Sequence, residues 1–509
     1  MQRLLFVTAG GVSEVAARLL AEAGTASGKC FSEPFPDGEI YHNLVTPVGN
    51  SEAIVSGTGD FHQADALMEL FDVANLVADE GALELSIITS ESPRTTTRDH
   101  ERFLSRCRRR LLSAIPPTPL GNNWGKVDSA SPGSPPVVRP ITASVAMPGA
   151  RVATAGGGKK AFVSRKHSLV AAIKSRGKPV VFSTRSYGYM QEQFHALADF
   201  ERGNVVRDSD GLVKGLDRLV SGRDVVIIGG TIDHAETFDL FLLANAAFEA
   251  GALSLTLVVP YFGYSTMERG KPDLHEAVKA SYRARLISAI PRCPMGNRVV
   301  LCDLHSEGIP HYFDNTVRTT HLYCIKTFIL EMVEGVVNGR ICTTDTGRGK
   351  WAESIVKEIN ARLKALGIED LEKLFQAAIA IKDRKSGSKT ELLGILGDVA
   401  GLDIDLFDDM IRRGTTAIDA GFGYRAGTDN KPGTGCKRIR FIASHAVLPG
   451  NSLERLQLAV DHNGERLFSE VIVLDSHPNA VKLQGDFLKV KSIAHLLVAH
   501  VIQSLAIGS

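Results

Sequence analysis

Apolar and polar residues alternate along the chain in two distinct patterns. Short runs rich in β-branched residues are typical of buried strands, and longer stretches with one apolar face are typical of helices. Strands are predicted at Leu4–Phe6, Ala53–Ser56, Ser86–Thr89, Val180–Phe182, Val225–Ile228, Leu255–Val259, Val299–Cys302, Ala377–Ile381, Asp405–Phe407, Arg438–Ala443 and Val471–Leu474. Helices are predicted at Val15–Ala23, Ala64–Ala78, Asp239–Ala250, Trp351–Ala365 and Val490–Ala506. Because the two kinds of element alternate, the sequence predicts an α/β fold with parallel sheets and crossover helices.

The N-terminal half contains an internal repeat. The Ala74-Asn75 pair recurs as Ala244-Asn245, and the run Ser113-Ala114-Ile115-Pro116 recurs as Ser288-Ala289-Ile290-Pro291. The nearly constant spacing of the matches indicates two tandem copies of one α/β module. The alternative is that two helices converged on Ala and Leu by chance, and the shared Ser-Ala-Ile-Pro run counts against it.

The repeat and the composition together divide the chain into four parts. A first module covers residues 1–116, a second module 176–325, and a C-terminal domain 326–509. Residues 117–175 form an insertion or linker, because 117–166 are rich in Pro, Gly, Ser and Ala and bury little apolar surface. The positive charges of this segment are expected to be solvated rather than part of an interaction tail.

Composition excludes several classes of function. Hydrophobic residues make up 44% and charged residues 23%, as in ordinary globular proteins, and the formal net charge of +1 gives no general affinity for nucleic acid or for an anionic membrane. No apolar run approaches the ~18 residues of a membrane span, and the N-terminus lacks the order of a signal peptide. The seven cysteines include no Cys-x-x-Cys pair, which favours reduced thiols and a cytoplasmic protein.

The strongest chemical signal is the run from Asp405 to Thr416. A strand is predicted to end in two adjacent acids, Asp408 and Asp409, and a small-residue loop leads into a helix near Ala417. Paired carboxylates can accept hydrogen bonds from neighbouring ribose hydroxyls, and a Gly/Thr loop that opens a helix presents N–H groups to a phosphate. The run therefore predicts a ribose 5-phosphate site formed by Asp408, Asp409, Arg412, Arg413, Gly414, Thr415 and Thr416. A capped helix after an edge strand is the alternative.

Five ordered segments resemble one enzyme family. They are Phe35–Ile40, Val259–Tyr264, Cys302–Ile309, Asp405–Thr416 and Ala443–Asn451. Over residues 1–116 and 176–509 the chain is similar to ribose-phosphate diphosphokinases (phosphoribosyl pyrophosphate synthetases), which have the type I phosphoribosyltransferase fold. The resemblance implies transfer of the diphosphoryl group of ATP to ribose 5-phosphate, with Mg²⁺ as cofactor, in nucleotide biosynthesis.

The resemblance also implies roles for single residues. Phe35, Asp37 and Glu39 match the family's adenine-binding flag, although a polar hairpin tip is the plainer interpretation. His305, Asp303 and Asp345 match positions near the metal and the phosphates. Lys382 and Arg384 match the two cations of the mobile catalytic loop, where they would stabilise charge on the transferring diphosphate together with His305.

Three departures from the family pattern affect the site. Thr266 stands where the family has an ATP-contacting Arg, a loss for which Arg269 is a nearby substitute. Arg412 and Arg413 stand in the phosphate loop where the family has an acid and a small residue. Arg348 and Trp351 alter the turn after Asp345. These changes keep open a second reading, a catalytically weakened regulatory subunit of a synthetase complex. A salvage phosphoribosyltransferase is a third reading, disfavoured by the long N-terminal modules.

The two copies of the repeat differ in which segment is intact. The first keeps Phe35, Asp37 and Glu39, whereas the second keeps Tyr261 to Tyr264. In the family the resemblance indicates, the adenine flag comes from a neighbouring subunit. We therefore expect the first module to supply the flag within its own chain. Family resemblance also favours an oligomer, either of identical chains or with related subunits.

Overall fold

The structure is a computed structural model of the chain. It describes residues 3–8, 26–28, 30–34, 39–46, 48, 51–58, 64–80, 82, 84–90, 177–209, 211–270, 275–332, 340–365, 367, 375–384, 390–426 and 435–507. The predicted helix at Val15–Ala23, the insertion at 117–166, and Phe35 and Asp37 lie outside these residues.

The first sheet has four parallel strands in the order β2-β1-β5-β6. A separate antiparallel hairpin, β3-β4, precedes β5, and one helix, α1, follows it. The elements are β1 (Arg3–Thr8), β2 (Ala26–Gly28), β3 (Cys30–Pro34), β4 (Ile40–Leu44), β5 (Ser51–Thr58), α1 (Ala64–Asp79) and β6 (Glu84–Ser90).

The second sheet has six parallel strands in the order β14-β13-β12-β11-β7-β8, and a hairpin, β9-β10, lies beside it. Its elements are β7 (Val180–Ser183), α2 (Gly188–Leu197), β8 (Glu201–Arg202), β9 (Val205–Arg207), β10 (Val213–Leu216), β11 (Asp224–Ile228), α3 (His234–Glu249), β12 (Ser254–Val259), α4 (Lys279–Ser288), β13 (Asn297–Cys302) and β14 (Val317–Leu322).

The third sheet has seven strands in the order β17-β16-β15-β18-β19-β20-β21, and only β16 and β17 pair antiparallel. Its elements are α5 (Cys324–Met332), β15 (Arg340–Thr343), α6 (Gly349–Ala365), β16 (Gln376–Arg384), β17 (Thr390–Leu396), β18 (Asp403–Ile411), α7 (Thr415–Ala426), β19 (Arg438–Ala446), α8 (Ser452–Leu458), β20 (Glu470–Leu474), α9 (Pro478–Leu483), β21 (Leu488–Lys491) and α10 (Ala494–Ile507). The chain is thus an α/β protein built on parallel sheets, as the alternation of apolar runs predicts.

The second and third sheets share a hydrophobic core. Along β11, Val226 and Ile228 point into this core together with Phe407 of β18, whereas Val225 and Ile227 point to the opposite face and pack with α3 and α4. Alternate residues of a strand face opposite sides of its sheet, so a strand buried on both faces is apolar throughout. This explains why the run at Val225–Ile228 shows no polar position.

The first module packs against helix α4 of the second module, and this contact has a hydrophobic core of its own. Val55 of β5 and Val73 and Val77 of α1 are buried with Ala277 and Tyr282 of the second module. A backbone hydrogen bond from Ala277 N–H to the carbonyl of His42, 3.2 Å long, lies beside this contact. The first two modules are therefore joined by packed side chains as well as by the chain itself.

Every predicted strand is present, but several boundaries were wrong. Strand β18 does not stop before the two acids. It continues to Ile411, because its partner β19 extends as far as Ala446. Helix α7 consequently starts at Thr415 rather than near Ala417.

Two predicted helices also had wrong starts. The helix predicted from Val490 begins at Ala494, because Val490 pairs with Val473 in β21. Helix α3 begins at His234, five residues before the predicted Asp239, because Asp233 caps it by accepting from the N–H of Glu236. The first turn of α3 is polar although His234, Glu236 and Thr237 are buried, so apolar periodicity alone does not reveal it.

Candidate active site

A cavity of about 790 Å³ opens at the carboxyl ends of the third sheet's strands. In an open parallel sheet this edge is where ligands bind. The predicted site residues that line it are Arg269, His305, Asp345, Asp408, Asp409, Arg412, Arg413, Gly414, Thr415 and Thr416. Residues from the second module and from the C-terminal domain thus meet at one cavity.

The predicted phosphate loop is a short turn between β18 and α7. Gly414 has a φ of +76°, a conformation that side chains disfavour, and a Cβ there would lie 2.9 Å from the side chain of Leu456. Thr415 and Thr416 belong to the first turn of α7, and both residues line the cavity. Helical geometry suits threonine, so Thr415 needs none of glycine's backbone freedom.

The pKa values of the two adjacent acids are shifted in opposite directions. Burial alone would raise the pKa of Asp409, but the hydrogen bond from His305 and the charge of Arg348 hold it well below its usual range. Burial, with the negative charge of Asp409 beside it, raises the pKa of Asp408 well above its usual range. The two neighbouring carboxyl groups therefore differ in how readily each loses its proton, Asp409 more readily than Asp408.

Asp409 joins the second module to the C-terminal domain. Its Oδ2 lies 2.6 Å from Nδ1 of His305 and 2.8 Å from Nη2 of Arg348. Burial lowers the pKa of His305, but the hydrogen bond and charge of Asp409 outweigh it, so the pKa is raised. The result is a compact group in which one imidazole and one guanidinium surround a single carboxylate at the wall of the cavity.

Arg348 lies in the glycine-rich turn that follows β15. Asp345 caps this turn by accepting from the N–H of Gly347 at 3.0 Å, and α6 begins at Gly349. Sequence reasoning noted Arg348 only as a departure from the family and did not place it in the site. The signal that was available is its position between two glycines at a strand end.

The predicted metal ligands are not gathered into one cluster. Among the described residues no group of three or more His, Cys, Asp or Glu side chains is arranged to hold a metal. Asp303 is buried at a φ of +40° and accepts from the N–H of Ile325, while burial raises its pKa to about 7. This environment favours a positioning role for Asp303, and its assignment as a ligand stays a prediction.

The donor set of the cavity nevertheless suits Mg²⁺. This ion usually takes one or two protein carboxylates and completes its shell with water and substrate phosphates. Asp345, Asp408 and Asp409 line the same cavity and supply such oxygen donors. A closed cage of protein ligands is not required for a metal that arrives with a nucleotide.

The first module contacts the wall of this cavity through Glu39, which pairs with the lining residue Arg412. One carboxylate oxygen of Glu39 accepts from the N–H of Tyr264 at 2.6 Å, and the other lies 3.2 Å from Nη2 of Arg412. Arg412 also donates to Oγ1 of Thr266 at 3.3 Å. Glu39 therefore contacts Arg412 within the same chain, while Phe35 and Asp37 lie outside the described residues, and supply of the adenine flag by the first module stays a prediction.

Three further cations belong to the predicted site. Lys382 and Arg384 are at the end of β16, where their backbones pair with Leu392 and Thr390 in an antiparallel hairpin. Arg269 has a largely exposed side chain, with its Nε 3.6 Å from Glu268. The catalytic and nucleotide-binding roles of these three residues stay predictions.

No helix in the described parts of the chain combines the length and apolar character needed to cross a membrane.

Comparison with family models gives a match within the second module. The model described as the N-terminal domain of ribose phosphate pyrophosphokinase matches residues 180–290. This range runs from β7 through α4 to Ile290. The second module therefore carries the sequence pattern of that domain.

Curated relatives extend the similarity. The ribose-phosphate pyrophosphokinase of Prochlorococcus marinus is 30% identical over 299 residues, covering 57% of this chain and 79% of the relative. That of Vibrio parahaemolyticus is 30% identical over 277 residues, covering 54% of this chain and 78% of the relative. The similarity thus spans most of each relative but only slightly more than half of this chain.

Among solved structures, the crystal structure of phosphoribosylpyrophosphate synthetase from Mycobacterium smegmatis superposes with a TM-score of 0.51 at 22% identity. The match covers 65% of this chain and 100% of that chain. At this identity the likeness bears on the fold alone.

Proposed function

The chain belongs to the ribose-phosphate pyrophosphokinase family, and from that membership we propose that it transfers the diphosphoryl group of Mg·ATP to the 1-hydroxyl of ribose 5-phosphate. The products are phosphoribosyl pyrophosphate and AMP, for nucleotide biosynthesis. The observation that carries the proposal is the single cavity that joins Asp408 and Asp409, the Arg412–Thr416 loop, and the pair His305 and Arg348.

The chemistry suits the arrangement. In phosphoryl transfer the protein supplies position and charge rather than covalent steps. The loop at the start of α7 would hold the 5-phosphate, and Asp408 with Asp409 would orient the ribose hydroxyls. Lys382 and Arg384, with His305, would offset negative charge on the transferring diphosphate.

Mg²⁺ would be held by Asp345 and the acids of β18 and would neutralise charge on the nucleotide's phosphates. The protein's own part is then to fix these carboxylates. Asp345 is fixed by its bond to Gly347, and Asp409 by His305 and Arg348.

We further propose that the first two modules are copies of one unit. In both, a strand leads to a hairpin, a second strand, a helix and a third strand, and the three strands are neighbours in one parallel sheet. Helices α1 and α3 have 16 residues each. Asn75 and Asn245 each donate to the carbonyl four residues earlier at 2.8 Å. The division at 1–116, 117–175, 176–325 and 326–509 is part of the same proposal.

The second candidate is a regulatory subunit that binds the substrates with little turnover. The substitutions at Thr266, Arg412 and Arg413 favour it. The regulatory reading predicts partnership with a catalytic subunit, whereas the enzyme reading predicts a cytoplasmic oligomer of this chain. A salvage phosphoribosyltransferase is less well supported, because residues 180–290 match the N-terminal domain of the pyrophosphokinases.

The test is to incubate the purified chain with Mg·ATP, with and without ribose 5-phosphate, and to resolve the nucleotides. AMP formed only in the presence of the sugar phosphate supports the enzyme. A folded chain that forms no AMP would shift the function to the regulatory subunit. If the chain instead releases pyrophosphate from phosphoribosyl pyrophosphate, and does so only when a nucleobase is added, the result would favour a salvage phosphoribosyltransferase.

A further inference from the structure

Glu39 is the point at which the first module touches the phosphate loop. Its side chain is only 7% exposed, and it lies between the backbone of Tyr264 and the guanidinium of Arg412. In sequence, 373 residues separate Glu39 from Arg412. A buried carboxylate needs such partners, because an unpaired one costs several kcal/mol.

Residues of both modules surround Tyr264, whose N–H donates to Glu39. The ring of Tyr264 lies under the ammonium of Lys279, 5.0 Å from its centroid, and under the guanidinium of Arg283, 4.5 Å away. Both cations pair with Asp72 of helix α1, at 2.9 and 2.8 Å, and all three charged side chains are fully buried. The first module thus contacts Tyr264 directly through Glu39, and through Asp72 it pairs with the two cations that lie over the ring of Tyr264.

The position of the Arg412 side chain is consequently set by contacts within the protein as well as by any ligand. Its Nη2 faces Glu39 and its Nη1 donates to Thr266, so both ends of the guanidinium are tied to residues outside the loop. Arg413, the next residue, is exposed and carries no such tie among the contacts described. The two adjacent arginines of the loop thus have different surroundings.

We propose that Glu39 is a positioning residue of the active site, which fixes the phosphate loop through Arg412 so that the first module completes the ribose 5-phosphate site of its own chain. This inference rests on the proposed function and adds to it a role for the first module. Glu39 acts here on the loop rather than on the adenine, the role that family resemblance assigns to it. Fixing the loop before the ligand arrives lowers the ordering cost of binding.

The test uses the full chain with Glu39→Gln. Glutamine keeps the acceptor for Tyr264 but removes the charge that holds Arg412. We expect the Kd for ribose 5-phosphate, measured by calorimetry, to rise ~10-fold, as loss of one buried charge pairing implies. The Kd for Mg·ATP should change less than threefold. The midpoint of urea unfolding should stay close to that of the control, Arg285→Ala, which breaks an exposed contact between the same two modules.

A double variant separates positioning from a merely structural role. If Glu39 acts through Arg412, then Glu39→Gln should have no further effect on ribose 5-phosphate binding in a chain that already carries Arg412→Gln. Losses that multiply in the double variant, or a single Glu39→Gln variant with unchanged affinity, would overturn the proposal.

The same measurements distinguish this proposal from the proposed function. A wild-type chain that binds ribose 5-phosphate but forms no AMP overturns the enzyme reading and leaves the binding test intact. A folded wild-type chain that does not bind ribose 5-phosphate overturns both.

Discussion

Nδ1 of His305 lies 2.6 Å from Oδ2 of Asp409, although 104 residues separate them in sequence. His305 follows β13 of the second sheet, and Asp409 lies near the end of β18 in the third. The pair therefore closes the cavity from two sheets at once. Any change at Asp409 therefore acts both on the proposed ribose site and on the side chains of His305 and Arg348.

Asp409→Asn should weaken ribose 5-phosphate binding by ~10- to 100-fold, because a hydrogen bond to a charged group is worth about 1.5–3 kcal/mol. Binding of Mg·ATP should change less. Calorimetric Kd values for both ligands test this, with Asp419→Asn on the exposed face of α7 as the control. A larger loss of affinity for ATP than for ribose 5-phosphate would move the ribose site elsewhere.

Mixing two defective chains tests whether the first module serves its own chain. Lys382→Ala should cut turnover while leaving ATP binding nearly intact, and Phe35→Ala should raise the KM for ATP. If flag and site belong to one chain, refolding the two variants together should give no more activity than the sum of the separate samples. Activity well above that sum would mean that the flag is exchanged between chains, and full turnover by Lys382→Ala would remove Lys382 from the mechanism.

Asp72→Asn should destabilise the contact between the first two modules by about 3–5 kcal/mol, because it leaves the buried charges of Lys279 and Arg283 without an anion. Asp79→Asn on the same helix breaks an exposed pair with Arg285 and should cost less than about 1 kcal/mol. Urea unfolding of the two variants makes the comparison. Equal losses would mean that the buried group is no more important than the surface pair.

His42 should make the fold sensitive to acid. Burial, and then the nearby charge of Lys279, lower the pKa of His42 from 6.5 to about 3. Between these pH values the unfolded chain binds a proton that the folded chain does not, so stability falls as the pH falls. The loss is ~1.4 kcal/mol per pH unit, or ~2 kcal/mol from pH 7 to pH 5.

The check is urea unfolding at pH 7 and pH 5. His42→Gln should remove ~2 kcal/mol of the difference between the two pH values, whereas His462→Gln, at an exposed position, should not. A His42→Gln variant with the same pH dependence as the wild type would contradict the assignment.

The parts of the site that lie on one continuous segment could be predicted from sequence. Asp408 to Thr416 run from a strand through a turn to a helix, and Gly414 takes the one conformation for which the turn needs glycine. The paired acids, and the presence of a helix soon after them, follow from local rules, whereas the exact first residue of that helix does not. The exact end of β18 did not, because its length is set by pairing with β19, a distant segment.

The contacts between modules could not be predicted in the same way. In the sequence, Arg348 is only a departure from the family pattern, and its contact with Asp409 appears only in the folded chain. Glu39 was assigned to adenine, and nothing near it in sequence points to Arg412. Two charged partners that are 373 residues apart produce no local sequence pattern that would reveal their contact, because the contact forms only when the sheets pack together.

The buried group of Asp72, Lys279 and Arg283 has a consequence for how the protein tolerates dilution. A contact between separate molecules weakens as their concentration falls, whereas a contact tethered within one chain keeps a constant effective concentration. Because Asp72 and its two cations share a chain, the stoichiometry of the two modules is fixed at synthesis. The surface of the second module that they cover is also withheld from any second copy, so further assembly has to use another face.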